Sequence, residues 1–289
     1  MRFLKLYYYD LRQGLLAKPM KWLLICLLSA FFFFCFCLDV FHTFFYEVDG
    51  FSGINTLGLS FGDSVLTQTG GILPPITANG SESFTFPIKW LFLHALILYF
   101  TLAYTSDDLT RCGMQVMTRT GSKTRWWFSK CLWNTTAVVS YYAIFMAGLF
   151  VLSALTGKAT SMTLNEMVFA ANFAEMLPVW AASGTELFIA LCVMPCAVGI
   201  ALNLAQMTLT LYVKPMIAFL IICAYLMAGV FYVHPVLLSN YALTVRSKAV
   251  GFYALTNTGG LILCGVVALS AVIVGCFRMQ KMDLIGQEG

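Results

Sequence analysis

Along this chain the apolar positions come in long unbroken runs, and the polar positions cluster between them. Six runs stand out: Trp22–Tyr46, Ile88–Tyr104, Leu132–Leu155, Leu187–Val213, Met216–Val233 and Gly251–Phe277. Each approaches or exceeds the roughly 17 to 25 residues that a helix needs to cross a hydrocarbon core. None alternates with the period of two expected of a barrel strand, and in lipid a helix pairs its backbone N–H and C=O groups within its own segment. The pattern predicts an all-α integral membrane protein with about six transmembrane helices. Pro195 and Gly199 predict a kink in the fourth run. The first run is longer than a signal-peptide core and no clean small-x-small site follows it, so it is read as a span.

The segments between the runs carry patterns of their own. Residues 1–20 form an amphipathic leader: wound at about 100° per residue, Phe3, Leu4, Tyr7, Tyr8, Leu11 and Leu15 fall within roughly 140°, with Arg2, Lys5, Arg12 and Gln13 outside that sector. This predicts an interfacial elbow helix, with Gly14 and Pro19 turning the chain into residues 21–289, the membrane domain. In the loop 105–130, Ser106 is placed to cap a helix whose first turn holds Asp107 and Asp108. Asp107–Thr118 is then the expected helix, with Leu109, Met114, Val116 and Met117 as its apolar contacts and Gly121 as its exit. The segment 47–87 is rich in Gly, Ser, Thr and Pro with interspersed Ile, Leu and Phe, which predicts an ordered cap on the extracellular side. Thr163–Trp180 has near-helical apolar spacing and predicts an interfacial or re-entrant helix.

Charge orients the spans. The leader holds Arg2, Lys5, Arg12, Lys18 and Lys21; the 105–130 loop holds Arg111, Arg119, Lys123, Arg125 and Lys130; Lys214, Arg278 and Lys281 join them on the same side. That is thirteen of the 17 basic residues, and the positive-inside rule makes this side cytoplasmic, with both termini inside. Composition agrees with a lipid-facing surface, since 60% of residues are hydrophobic and 10% charged against about a quarter charged in soluble domains. The net charge of +4 is distributed as orientation signals beside the spans, which argues against nucleic acid as a partner. Most of the ten cysteines sit in apolar runs and read as small buried side chains, not a disulfide framework.

Candidate chemistry is sparse. No Ser-His-Asp set, His cluster or paired carboxylate suggests catalysis, and no metal-ligand spacing is present. Gly121-Ser122-Lys123-Thr124 lacks the first glycine spacing and the strand-loop-helix context of a phosphate loop. Within or near the spans, Asp39, His94, Asn203 and Gln206 are the candidate pathway-lining residues, because polar groups are costly in hydrocarbon unless they face protein or water. Asp39 has a headgroup-depth alternative, and Asn203 and Gln206 an interhelical hydrogen-bonding one.

Tyr9-Asp10-Leu11-Arg12-Gln13-Gly14 in the leader, and Thr118-Arg119-Thr120-Gly121-Ser122-Lys123-Thr124-Arg125 with Lys130 before the third run, resemble the permease subunit of an ABC-2-type ATP-binding-cassette transporter. The resemblance covers the layout of most of the chain; the long 47–87 segment departs from the compact first outer loop of that family. It implies an exporter permease in a bacterial plasma membrane, working as a homo- or heterodimer with a second or related permease. It also implies cytoplasmic ABC ATPase subunits that carry the ATP and Mg, with no cofactor in this chain. The residues implied in coupling are Asp107, Asp108, Met114, Met117 and Arg119. A secondary transporter, and a membrane sensor or assembly scaffold, are the alternative classes.

Overall fold

A computed structural model of the chain describes residues 2–47, 58–72, 86–102, 104–108, 122–173, 182–251 and 255–282. Among them the protein is all-α, with isolated bridges at Ser60–Ala159 and Ser247–Leu255 in place of strands. In chain order the helices are α1 (Arg2–Leu11), α2 (Pro19–Glu47), α3 (Phe61–Thr69), α4 (Ile88–Leu102), α5 (Tyr104–Asp108), α6 (Lys123–Leu155), α7 (Glu166–Asn172), α8 (Gly184–Phe188), α9 (Met194–Leu209), α10 (Pro215–Phe231), α11 (Leu238–Ala242) and α12 (Asn257–Lys281). Five helical stretches are long and apolar enough to cross a membrane: Pro19–His42, Ile88–Asp108, Lys123–Leu155, Gly184–Leu209 and Asn257–Lys281. The protein is thus of the multi-pass membrane class. The expected fifth run is the 17-residue helix α10, which ends where Tyr232 turns extended, short of the length of the other five.

Local chemistry sets the helix ends. Pro215 stands at the first turn of α10, where its missing N–H removes no intrahelical bond. Ser122 accepts from Arg125 N–H to cap α6, and Thr256 accepts from Gly259 N–H to cap α12. The expected irregularity in the fourth span lies just before Pro195, as a π-helical turn over Ile189–Val193 joining α8 to α9. Ser106 and Asp107 lie in the short helix Tyr104–Asp108, which starts two residues ahead of Ser106, and residues 109–118 of the expected helix lie outside the described residues.

The span ending in α9 is the centre of the bundle. It is 61% buried, against 22% for the α12 span, and packs on α4, α6, α10 and α12. Small residues permit these close approaches. A Cβ on Gly199 would meet the Tyr142 ring at 2.7 Å, and one on Gly275 would meet Trp127 at 2.0 Å. In hydrocarbon, where lipid tails are as apolar as Leu, such tight van der Waals contact is the main adhesive.

At the end opposite the leader, α3 is packed within the bundle, with eight of its nine residues buried. Its Gly, Ser and Thr content reads as loop, yet Ser64 donates to Phe61 O at 2.8 Å and Thr69 to Val65 O at 3.0 Å, so its hydroxyls are satisfied locally. Gln68 Nε2 donates to Phe32 O at 3.2 Å, near the middle of α2. Of the segment 47–87, residues 58–72 are folded around α3, and residues 48–57 and 73–85 lie outside the described residues. The helix expected over Thr163–Trp180 is α7, capped by Asn165, with residues 174–181 outside the description.

Candidate functional site

The densest cluster of buried charge lies where the leader meets the bundle. Asp10 near the end of α1 and Lys130 in α6 are both fully buried and form an ion pair. Lys130 Nζ also reaches Asp108 Oδ2 at 2.7 Å, so one ammonium joins two carboxylates from different parts of the chain. Ser129 Oγ donates to Asp10 Oδ2, Tyr104 OH donates to Asp10 Oδ1 at 3.1 Å, and Trp126 Nε1 donates to Asp108 Oδ2 at 3.2 Å. The Lys130 ammonium lies 4.9 Å from the Tyr104 ring centroid and 5.2 Å from that of Trp126. Buried ions persist only where partners replace their hydration, and here every bond crosses between segments far apart in sequence. The cluster makes the leader, the end of the second span and the start of the third one mechanical unit.

The leader is helical as expected and presents two faces. Leu6, Asp10 and Gly14 form its buried stripe, while Leu4 and Tyr8, from the expected apolar sector, are 68% and 63% exposed. The sequence reading assigns the apolar sector to the membrane interface and does not find the protein-facing stripe, whose central contact is ionic. Asp10 was legible only as part of a family motif; the i, i+4, i+8 stripe of Leu6, Asp10 and Gly14 is the signal that marks it. Among the residues assigned to coupling, Asp107 is exposed, and Asp108 is engaged inside the chain by Lys130. Met114, Met117 and Arg119 lie outside the described residues.

The candidate pathway residues do not gather into one site. Asp39 pairs with Lys89 on the rim of the cap end, where both side chains are partly exposed. Asn203 accepts from Thr101 Oγ1 at 2.6 Å and donates to Gly199 O at 2.7 Å. Gln206 Nε2 donates to Leu98 O at 2.9 Å, and Asn134 Nδ2 donates to Asn203 O at 3.3 Å. These bonds stitch α4, α6 and α9 together, which is the interhelical alternative. His94 is buried between Trp90 and Tyr142, with Nδ1 at 2.9 Å from Trp90 O. Asp39 is thus separate from the interior belt, in which Asn203 makes one bond through its carbonyl oxygen and one through its amide nitrogen, while Gln206 Oε1 and His94 Nε2 have no partner among the described residues.

The cap end holds two further polar centres that the sequence reading did not single out. Arg246 is fully buried: Nε donates to Ile72 O at 3.1 Å, Nη2 to Val230 O at 2.8 Å, and Nη1 to Gly229 O and Asn240 Oδ1. It thereby satisfies carbonyls at the C-terminal turn of α10, where a cation also complements the helix dipole. Asp63 forms a capping box with Ser60 at the start of α3 and accepts from Asn165 N–H at 2.7 Å.

Burial pushes the Asp63 carboxyl above its ordinary value, more than the bonds from Asn165 and Ser60 pull it down. A carboxyl whose folded value is raised contributes stability that is complete below the unfolded value, about 3.9, and is lost as pH rises through the folded value. The melting temperature in detergent is therefore expected to fall as pH is raised from about 3.9 through that window. Asp63→Asn should flatten the slope; an unchanged slope contradicts this assignment.

Among the described residues no group of three His, Cys, Asp or Glu side chains is placed to hold a metal ion. No family model, curated protein or solved structure matches this chain.

Proposed function

We propose that this chain is the permease subunit of an ABC-type exporter, with six spans, an interfacial elbow and both termini in the cytoplasm of a bacterial cell. Two copies, or one copy and a related permease, form the pathway, and separate ATPase subunits bind ATP and Mg. The observation that carries this reading is the Asp10–Lys130–Asp108 cluster. It ties the leader to both flanks of the loop that bears the coupling helix, at the end of the bundle where the basic residues collect. A displacement imposed on that loop would reach α1, α4 and α6 together instead of being absorbed by a slack connection. Asn203 and the Gln206 amide nitrogen bond to neighbouring helices, which supports this reading over a secondary transporter, which would present ionisable groups to an ion pathway.

The docking surface is assigned to Asp107–Thr118, with Met114 and Met117 as its apolar anchors. Replacing both by Asp should reduce recovery of the ATPase with the purified permease by roughly tenfold or more, as loss of a central apolar contact does in other interfaces. The permease itself should remain folded in the membrane. Normal recovery of the ATPase and normal transport by the double variant would make the loop a connection only.

A further inference from the structure

At the end of the bundle where the basic residues collect, Arg278 stands in the last turn of α12 and lays its guanidinium 5.0 Å from the ring centroid of Tyr212, in the turn that joins α9 to α10. Stacking of this kind holds a planar cation in place without using its N–H groups. Arg278 takes no hydrogen-bond acceptor and no carboxylate among the described residues. The work an arginine ordinarily does at a helix end is already done by others. Lys123 Nζ donates to Met282 O at 2.6 Å and to Gln280 O at 3.4 Å at the end of α12, and the carbonyls of Gln206, Met207, Thr208 and Leu209 at the end of α9 all accept from the turn that follows. Lys214, two residues after Tyr212, is exposed and stands just before α10, whose first turn carries no acid. Two cations therefore flank one ring, and no described carboxylate pairs with either. Exposed apolar side chains adjoin each cation in sequence: Met216 and Ile217 after Lys214, and Phe277 before Arg278.

We infer that Arg278, Tyr212 and Lys214 form a headgroup site for one anionic phospholipid, with the phosphate on the outer edge of the guanidinium and the acyl chains along the exposed apolar faces of α10 and α12. The inference stands apart from the transport reading and needs only the multi-pass membrane fold. A guanidinium edge offers parallel N–H groups in the geometry that phosphate oxygens accept. The apolar neighbours put those groups at the border of the hydrocarbon, where a lipid phosphate sits and where a free anion gains nothing from the side chains beside it. Basic groups at such a border bind anionic headgroups for this reason. A zwitterionic lipid carries its own cation into the field of Arg278 and Lys214 and is disfavoured. The bound lipid joins α12, which is the least buried of the five long spans, to the turn between α9 and α10.

Native mass spectrometry of the full chain in detergent tests this, with phosphatidylglycerol, phosphatidylcholine of matched chain length and inorganic phosphate as separate probes. One phosphatidylglycerol per chain should be retained at least about fivefold more tightly than phosphatidylcholine, roughly the contribution of one basic residue near an anionic surface. Arg278→Gln should remove most of that preference, and Tyr212→Leu, which takes away the ring that holds the guanidinium, should weaken it severalfold. Lys5→Gln, at an exposed basic position on the leader, should leave it unchanged. Melting in lipid-free detergent shows which variants are folded, and if Arg278→Gln is not, the exposed Lys214→Gln decides in its place. Equal retention of the two lipids overturns the inference, as does wild-type preference in a folded Arg278→Gln protein. An equal loss in Lys5→Gln would mean diffuse attraction to the whole basic end and no site. Displacement of the lipid by inorganic phosphate alone at matched concentration would make this a free-anion site and overturn the inference too.

Discussion

Lys130→Met should be the most damaging single substitution at the leader end of the bundle, lowering stability by about 3 to 5 kcal/mol, the cost of breaking a buried ion pair from one side. The methionine keeps most of the apolar stem but removes the ammonium that joins Asp10 to Asp108. Asp10 is fully buried, and its remaining bonds from Ser129 and Tyr104 are to neutral hydroxyls. Asp10→Asn should cost less, because Lys130 keeps Asp108 and the amide oxygen still accepts from Ser129. Combining the two substitutions should recover part of the Lys130→Met loss, since the orphaned carboxylate is then gone. Thermal unfolding in detergent measures the four-member cycle, and protease cleavage after α1 reports whether the leader has detached. A Lys130→Met protein that melts like the parent with a protected leader would show that the cluster is dispensable.

Arg246→Met should have a comparable effect at the cap end. The substitution leaves Ile72 O, Gly229 O, Val230 O and Asn240 Oδ1 without the guanidinium that they share. Each buried acceptor left unsatisfied costs about 1 to 3 kcal/mol, so even partial relaxation leaves a loss of several kcal/mol. Arg246→Lys should restore only part, because one flexible ammonium cannot span acceptors held by a planar fork. The damage should be local first: Tyr232–Gly251 should become protease-sensitive before the spans unfold. Parent-like protection of that segment in Arg246→Met would contradict the assignment.

Apolar runs were sufficient to find the long helices because lipid demands length and hydrophobicity from each span by itself. Their ends were less legible. Hydropathy begins the third span at Leu132, whereas α6 begins at Lys123, nine residues earlier. Lys130 reads as a polar boundary until its partner is known, and that partner lies 120 residues away. The same limit hides α3, whose polar composition resembles a loop although its hydroxyls bond to its own backbone. Arg246 lies outside the six apolar runs, where charge is ordinary, while its acceptors come from the end of α10 and from beside Gly71. Asn203 and Gln206 were legible as polar groups needing protein partners; which partners they take required the packing.

The central claim is that this chain works as the membrane half of an ATP-driven exporter. Tagged full-length chain, purified in mild detergent from its native cells together with whatever remains bound, tests this most directly. The account predicts a near-stoichiometric ATP-hydrolysing subunit in the preparation, and ATP-dependent substrate movement when the complex is placed in vesicles. Recovery of the chain with no ATP-hydrolysing partner, together with transport driven by an ion gradient alone, would contradict it.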